Sequence, residues 1–242
     1  MSGGVSETRR QAAAGTALQD EAWPIARLRE LVVAELFASL QGEGTRAGLP
    51  TVFLRLTGCA LRCRWCDTEW AFHGGERRSL HDLASSIAGL GIPRVCVTGG
   101  EPLLQRGVVP LVRHLDEDLA LEVVVETGGD QDISVLPPGV VRVMDIKLPG
   151  SGMEGRLHEA NLSHLTSDDE VKLVVADRDD YLAARRWIEG PLESFDGAIL
   201  LGAVHGELPP ATLTRWVLED RLAVRVQLQL HKLIWPGRDR GV

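Results

Sequence analysis

The sequence has no surplus of basic residues: 26 Lys and Arg stand against 34 Asp and Glu, a net charge of −8 with a pI near 5.4. A surface of that sign repels a polyphosphate backbone on average, so no nucleic-acid partner is expected. No apolar run approaches the roughly 20 residues that span a bilayer, and the N-terminus has no short apolar stretch of the secretory kind. The expectation is a cytoplasmic protein without a membrane partner. Cysteine is scarce, four in 242 residues, and three of the four fall within eight positions. That excludes a disulfide scaffold and fits thiolates gathered for a metal in a reducing compartment. There is no internal repeat and no low-complexity segment. What remains is an ordinary globular composition, 44% hydrophobic and 25% charged, with enough chain for one ample core.

Residues 1–30 mix Gly, Ala, Ser and both charges without an apolar period, and read as a flexible extension. Residues 31–242 read as one domain. Short β-branched, apolar runs at 51–57, 95–98, 121–126, 140–145, 170–175, 197–201 and 224–228 predict seven strands. Helical spacing separates several of them. Ser79, with Asp82 three residues on, caps a helix carrying Leu80, Leu83, Ile87 and Leu90, and Gly91 and Pro93 end it. Further helical stretches run through Leu104, Val108, Leu111, Val112 and Leu115, then over 181–188 and 211–218. Regular alternation of strand and helix means parallel strands with crossover helices, and seven strands predict an incomplete α/β barrel. Reactive residues in such folds gather at the C-terminal ends of the strands, where every polar motif below falls.

Cys59, Cys63 and Cys66 form C-x3-C-x2-C directly after the first predicted strand and Gly58. Three thiolates on one short loop can hold three corners of an iron–sulfur cube and leave one iron open. A structural zinc site needs a fourth ligand. Cys96 lies mid-strand in VCVT and reads as a buried small hydrophobe, whereas His73 leaves zinc possible by counting alone. Arg62, Arg64 and Asp67 make the loop polar, which argues against three inert core cysteines.

The loop resembles the radical S-adenosylmethionine (radical SAM) superfamily, and Gly99-Gly100-Glu101-Pro102 at the end of the next strand resembles that superfamily's GGE motif. The flanks narrow the resemblance. Ser39-Leu40-Gln41-Gly42-Glu43-Gly44, Gly48-Leu49-Pro50, Phe53 through Cys59, Cys63-Arg64-Trp65-Cys66-Asp67-Thr68 and the late Gln229-Leu230-His231-Lys232 are together similar to the 7-carboxy-7-deazaguanine synthase family.

That resemblance implies an incomplete barrel of the radical SAM type, a [4Fe-4S] cluster on Cys59, Cys63 and Cys66, S-adenosylmethionine on the open iron, and Mg²⁺ on Thr68. It implies Mg²⁺-assisted ring contraction of 6-carboxy-5,6,7,8-tetrahydropterin to 7-carboxy-7-deazaguanine, with loss of ammonia, on the route to queuosine. Trp65, Cys66, Asp67, Gly100, Glu101, Asp145, Ile146 and Lys147 carry over as cofactor contacts, although Asp145-Ile146-Lys147 departs from the Ser-Pro-Lys text of some members. Leu40, Gln41, Gly42, Glu43, Arg55, Thr98 and His231 carry over as pterin contacts. A homodimer and an electron donor such as flavodoxin are implied too. A glycyl-radical activase shares the cluster loop and GGE, and the QGEG segment and Thr68 speak against it. An electron-transfer module would bind no S-adenosylmethionine. The chain also runs ten residues past Lys232, where some relatives stop.

Overall fold

The computed structural model describes residues 30–242. The expected N-terminal extension lies outside the described residues except for Glu30, which opens the first strand. The strands are β1 (Glu30–Leu40), β2 (Pro50–Leu56), β3 (Glu76–Ser79), β4 (Arg94–Gly99), β5 (Glu122–Thr127), β6 (Val141–Ile146), β7 (Glu170–Val175), β8 (Ala198–Ala203) and β9 (Arg225–Gln227). They form one open sheet in the order β3-β1-β2-β4-β5-β6-β7-β8-β9. Strand β1 is antiparallel to β2 and β3, and every neighbouring pair from β2 onward is parallel.

All seven expected strands are present, and two more flank them. Strand β1 carries Glu and Ala among its apolar residues and bulges between Val33 and Glu35, which blurs its alternation. Strand β3 reads ERRS; only its pairing with β1 makes it a strand.

Helix α1 (Leu80–Gly89) begins as expected, with Ser79 Oγ accepting from Asp82 N at 3.0 Å. The stretch expected as one helix after β4 is divided: a 3-10 turn at Pro102–Leu104, α2 (Val108–Arg113) and a π turn at His114–Asp118. Helices α3 (Arg178–Ile188) and α4 (Pro210–Asp220) cover the second half, and a short α5 (Leu230–Ile234) follows β9.

The period of two along each strand sorts side chains between the helical layer and the concave face. Val52, Leu54, Leu56, Val95, Val97, Val123 and Val125 pack under α1 and α2, while Met144, Ile146, Val171, Leu173, Val175 and Leu201 pack under α3 and α4. The intervening residues Arg55, Thr98, Glu126, Asp145, Lys147 and Lys172 face a cavity of about 1080 Å³ on the other side. Apolar contact among Phe53, Cys96, Val124 and Val141, with Phe37 stacked on Phe53 at 5.1 Å, fills part of that concave face. The last fifteen residues run from the β9 edge back toward the β1–β2 hairpin. Leu230 N donates to Gly42 O at 3.0 Å, and Gly241 N donates to Glu35 Oε2 at 3.0 Å.

Candidate active site

The cysteine loop leaves β2 through Gly58, whose φ of +88° suits a residue without a Cβ. It is held from two sides. Arg64 N donates to Ser151 O at 3.0 Å, and the Arg64 guanidinium meets both Glu207 oxygens at 2.9 and 2.8 Å. Arg62 donates to the carbonyls of Cys59 and Leu61. Cys59, Cys63 and Cys66 are free thiols, partly exposed, and all three line the cavity. Burial pushes the Cys59 and Cys63 thiols up, and Cys66 raises both further, as Cys59 does for Cys63. Cys96 is fully buried in β4 and belongs to the apolar part of the concave face.

Three soft donors on one loop, with the fourth cysteine buried elsewhere, fit an iron–sulfur cube bearing one iron without a protein ligand. Among the described residues no three His, Cys, Asp or Glu side chains converge on a single ion, and His73 is exposed outside the cavity. The zinc alternative therefore finds no ligand set here.

The two glycines of the GGE segment serve packing first. A Cβ on Gly100 would stand 1.9 Å from Gly58 O, and one on Gly99 (φ +136°) would stand 2.2 Å from Leu56 O. The backbone of this segment lies directly on the end of β2, with Gly100 N donating to Leu56 O and Glu101 N to Gly58 O at 3.1 and 2.7 Å. Glu101 departs from expectation: its side chain is fully buried and does not face the cavity. Its carboxyl accepts from Leu103 N, Thr127 Oγ1 and Gly128 N at 3.0, 2.9 and 2.7 Å, tying the ends of β4 and β5. Burial raises it to about 7 despite those donors. Ile146 departs as well, because alternation along β6 turns it into the core while Asp145 and Lys147 face the cavity. Asp145 Oδ2 and Lys147 Nζ pair at 2.9 Å. Burial works to lower the Lys147 ammonium, but Asp145 and the Cys63 thiol outweigh it, and the net shift is upward.

The remaining expected residues converge. Leu40, Gln41, Gly42, Glu43, Arg55, Trp65, Asp67, Thr68, Thr98 and His231 all line the same cavity. Gln41 Nε2 and Thr98 Oγ1 donate to the two oxygens of Glu126 at 3.2 and 2.8 Å. A Cβ on Gly42 would come within 2.3 Å of His231 Nδ1, so glycine there lets the hairpin loop meet α5. Burial lowers the His231 imidazole, which favours its neutral form. Arg55 Nε binds Glu35 Oε1 at 2.8 Å across the hairpin, and the described residues offer no hydrogen bond to its Nη atoms. The indole of Trp65 lies under Arg64 at 4.8 Å. Thr68 Oγ1 is 3.9 Å from Cys66 Sγ. Asp67 is engaged from the C-terminal segment, by Lys232 at 2.6 Å and Gln229 at 3.3 Å.

Sequence reasoning missed three contributors. Lys172, on β7, pairs with Glu43, and Gln227 with Gln229 completes the set of donors to that carboxylate. The period of two along 170–175 was the available signal for Lys172. The third is the tail: Trp235, Pro236, Arg238, Asp239 and Val242 wall the cavity.

Residues 54–148 match the Radical SAM superfamily, and with the open parallel barrel and the three-cysteine loop this defines a radical SAM protein, for which a [4Fe-4S] cluster and S-adenosylmethionine are the resident cofactors. Proteins named 7-carboxy-7-deazaguanine synthase are similar over nearly the whole domain. That of Koribacter versatilis is 39% identical over 225 residues, covering 87% of this chain and 99% of its own. That of Chlorobaculum tepidum is 40% identical over 215 residues, covering 88% and 97%. The chain belongs to the 7-carboxy-7-deazaguanine synthase family of enzymes. Its fold is also similar to the crystal structure of QueE from Escherichia coli, with a TM-score of 0.69 at 22% identity, covering 82% of this chain and 94% of that one.

Proposed function

We propose that this enzyme is a carbon–nitrogen lyase that contracts the ring of 6-carboxy-5,6,7,8-tetrahydropterin to 7-carboxy-7-deazaguanine with release of ammonia, in 7-deazapurine biosynthesis. The observation that carries the reading is one cavity lined both by the three thiols and by hydrogen-bonding side chains from the β1–β2 loop, β4, β5 and α5. The cluster and S-adenosylmethionine, when bound, supply a carbon-centred radical able to take hydrogen from an unactivated C–H bond.

The chain's share is binding and orientation. The Glu43 carboxylate and the Gln41 amide meet the donors and acceptors of the pterin edge, with Thr98 holding Glu126 beside them. The free Nη face of Arg55 takes the substrate carboxylate, its Nε being fixed by Glu35. Neutral His231 adds a hydrogen bond from α5. Thr68 is the one protein ligand we assign to Mg²⁺, the remainder coming from substrate oxygens and water, so the metal binds weakly until substrate is present. Trp65, Asp67, Gly100, Asp145 and Lys147 border the cofactor, with Cys66 and the backbone of Ile146. Glu101 acts from beneath, by holding the β4 and β5 ends. A homodimer, a cytoplasmic location and a flavodoxin-like electron donor complete the proposal; no helix among the described residues is long and apolar enough to cross a membrane.

Anaerobic reconstitution followed by incubation with carboxytetrahydropterin, S-adenosylmethionine, Mg²⁺ and reductant tests the reading by mass spectrometry of the product. The deazapurine acid and ammonia are expected in equal amounts. Cys63→Ala should lose both iron and turnover, and a cluster-free variant that still makes product would refute the reading.

A further inference from the structure

We propose that Lys172 is a positioning residue that fixes Glu43 as an ionised, acceptor-only carboxylate for the donor edge of the substrate heterocycle. This rests on the proposed function and deepens it.

Lys172 sits in the middle of β7 between Val171 and Leu173, both wholly buried, and its side chain crosses to the concave face. Only about a fifth of it is exposed, and Glu43 is more enclosed still. A lysine in such a place is costly unless it is paired, and its ammonium contacts Glu43 Oε2 directly. Gln227 Nε2 reaches the same oxygen at 3.2 Å, and Gln229 Nε2 reaches Oε1 at 2.8 Å. An ionised carboxyl group has about four acceptor positions. Three are filled from β7, β9 and the segment before α5. The residual surface of Glu43 opens on the cavity.

The other charges facing the pair are Asp145 from β6, Lys147 just after it, Glu126 from β5 and His231 from α5. Burial alone would push the Glu43 carboxyl up, but attraction and hydrogen bonding from Lys172 outweigh it and hold the group below the ordinary carboxylate range. Burial pulls the Lys172 ammonium down, and Glu43, Asp145 and Glu126 reverse that. The pair is thus charged at neutral pH by mutual need. An ionised Glu43 can only accept, so its one remaining acceptor position favours a heterocycle that presents an N–H donor there, as a 2-amino ring-nitrogen edge does, and rejects a 2-oxo group, which presents an acceptor. A protonated Glu43 would donate from one oxygen and lose that discrimination.

The test compares wild type with Lys172→Met, Lys172→Arg, Glu43→Gln and the Met/Gln double variant, by steady-state kinetics across the neutral pH range and by carboxyl-stretch infrared titration of the substrate-free holoenzyme. Lys172→Met should raise KM roughly tenfold with kcat little changed, bring an acid limb into kcat/KM that wild type lacks, and show a protonated-carboxyl band. That band should vanish in the double variant, whose KM should be no worse than that of Glu43→Gln, and Lys172→Arg should restore most of the wild-type profile. The inference fails if Lys172→Met keeps the wild-type KM and pH profile, or if the two substitutions add independently. A wild type that forms 5′-deoxyadenosine yet leaves carboxytetrahydropterin untouched fails in a different way: it overturns the substrate reading and, with it, the selectivity assigned here.

Discussion

Lys232 Nζ lies 2.6 Å from Asp67 Oδ1, so the residue after the last cluster cysteine is tied to the segment that follows β9. The connection continues outward. Arg240 stacks on Trp70 at 4.1 Å, with Arg55 on the same indole at 5.9 Å, and Gly241 N binds Glu35, the acid that also fixes Arg55. The tail is therefore fastened at both ends of its path across the cavity. Ending the chain after Lys232 should raise KM for the pterin roughly tenfold and let water reach the site. The check is the ratio of 5′-deoxyadenosine to deazapurine, which should rise above that of the full chain; an unchanged ratio and KM would show that the tail is ornamental.

Gly100 fixes the approach of β4 to the cysteine loop. Because a methyl group there meets Gly58 O at 1.9 Å, and that partner is backbone, relief requires the loop itself to move. Gly100→Ala should cost about 3 kcal/mol in chemical denaturation and reduce the iron bound after reconstitution. Gly152→Ala is the contrast. It has φ of +73° but nothing within 4 Å of the added carbon, so its cost should be near 1 kcal/mol from backbone strain alone, with full iron content.

Much of this arrangement was legible beforehand. The seven parallel strands carried short apolar, β-branched runs, most of them bounded by glycine, and the cysteine spacing with its flanks led straight to one cavity. The misses have physical causes. Ile146 carries over by resemblance as a cofactor contact, and alternation turns its side chain to the opposite face, which leaves its backbone for that role. Glu101 sits where a motif puts an acid, but its burial depends on how β4 and β5 end relative to each other, which no local pattern reports. Arg55 meets Glu35 only because β1 pairs with β2 across a bulge. Asp67 and Lys232 are 165 positions apart, and only the return of the tail joins them.

The state of Glu101 sets a pH dependence of stability. An unfolded chain ionises this carboxyl near its ordinary value of 4.5, whereas the folded chain holds the proton to about 7. The folded state therefore binds more protons across that window, and its stability declines as pH rises through it, by about 3 kcal/mol in total. Glu101→Gln removes the titrating group. Denaturant midpoints of the cofactor-free protein measured from mildly acid to neutral pH should fall less in the variant than in wild type. Parallel curves would mean that Glu101 is ionised when folded.

The hairpin loop that carries Gln41 and Glu43 is latched from below by Glu170. Its buried carboxylate accepts from Thr45 N, Thr45 Oγ1 and Arg46 Nη1 at 3.1, 2.5 and 2.8 Å, and Gly44 is held by Gln227 at 2.9 Å. Arg46 spans onward to Glu122, which also binds Arg94. Glu170 is 2% exposed at its side chain and Glu122 is 37% exposed, so the two ends of this chain of charges differ in worth. Replacing the buried acid takes one of the two carboxylate partners of Arg46 and leaves a single amide oxygen for the Thr45 donors, so Glu170→Gln should cost about 2 kcal/mol, against less than about 1 kcal/mol for Glu122→Gln. Because Glu43 lies two residues before Thr45, the loosened loop should also raise KM several-fold in Glu170→Gln while kcat stays near wild type. Equal stability losses in both variants, or a fall in kcat without a rise in KM, would show that the latch bears on the fold alone and not on the residues that meet the substrate.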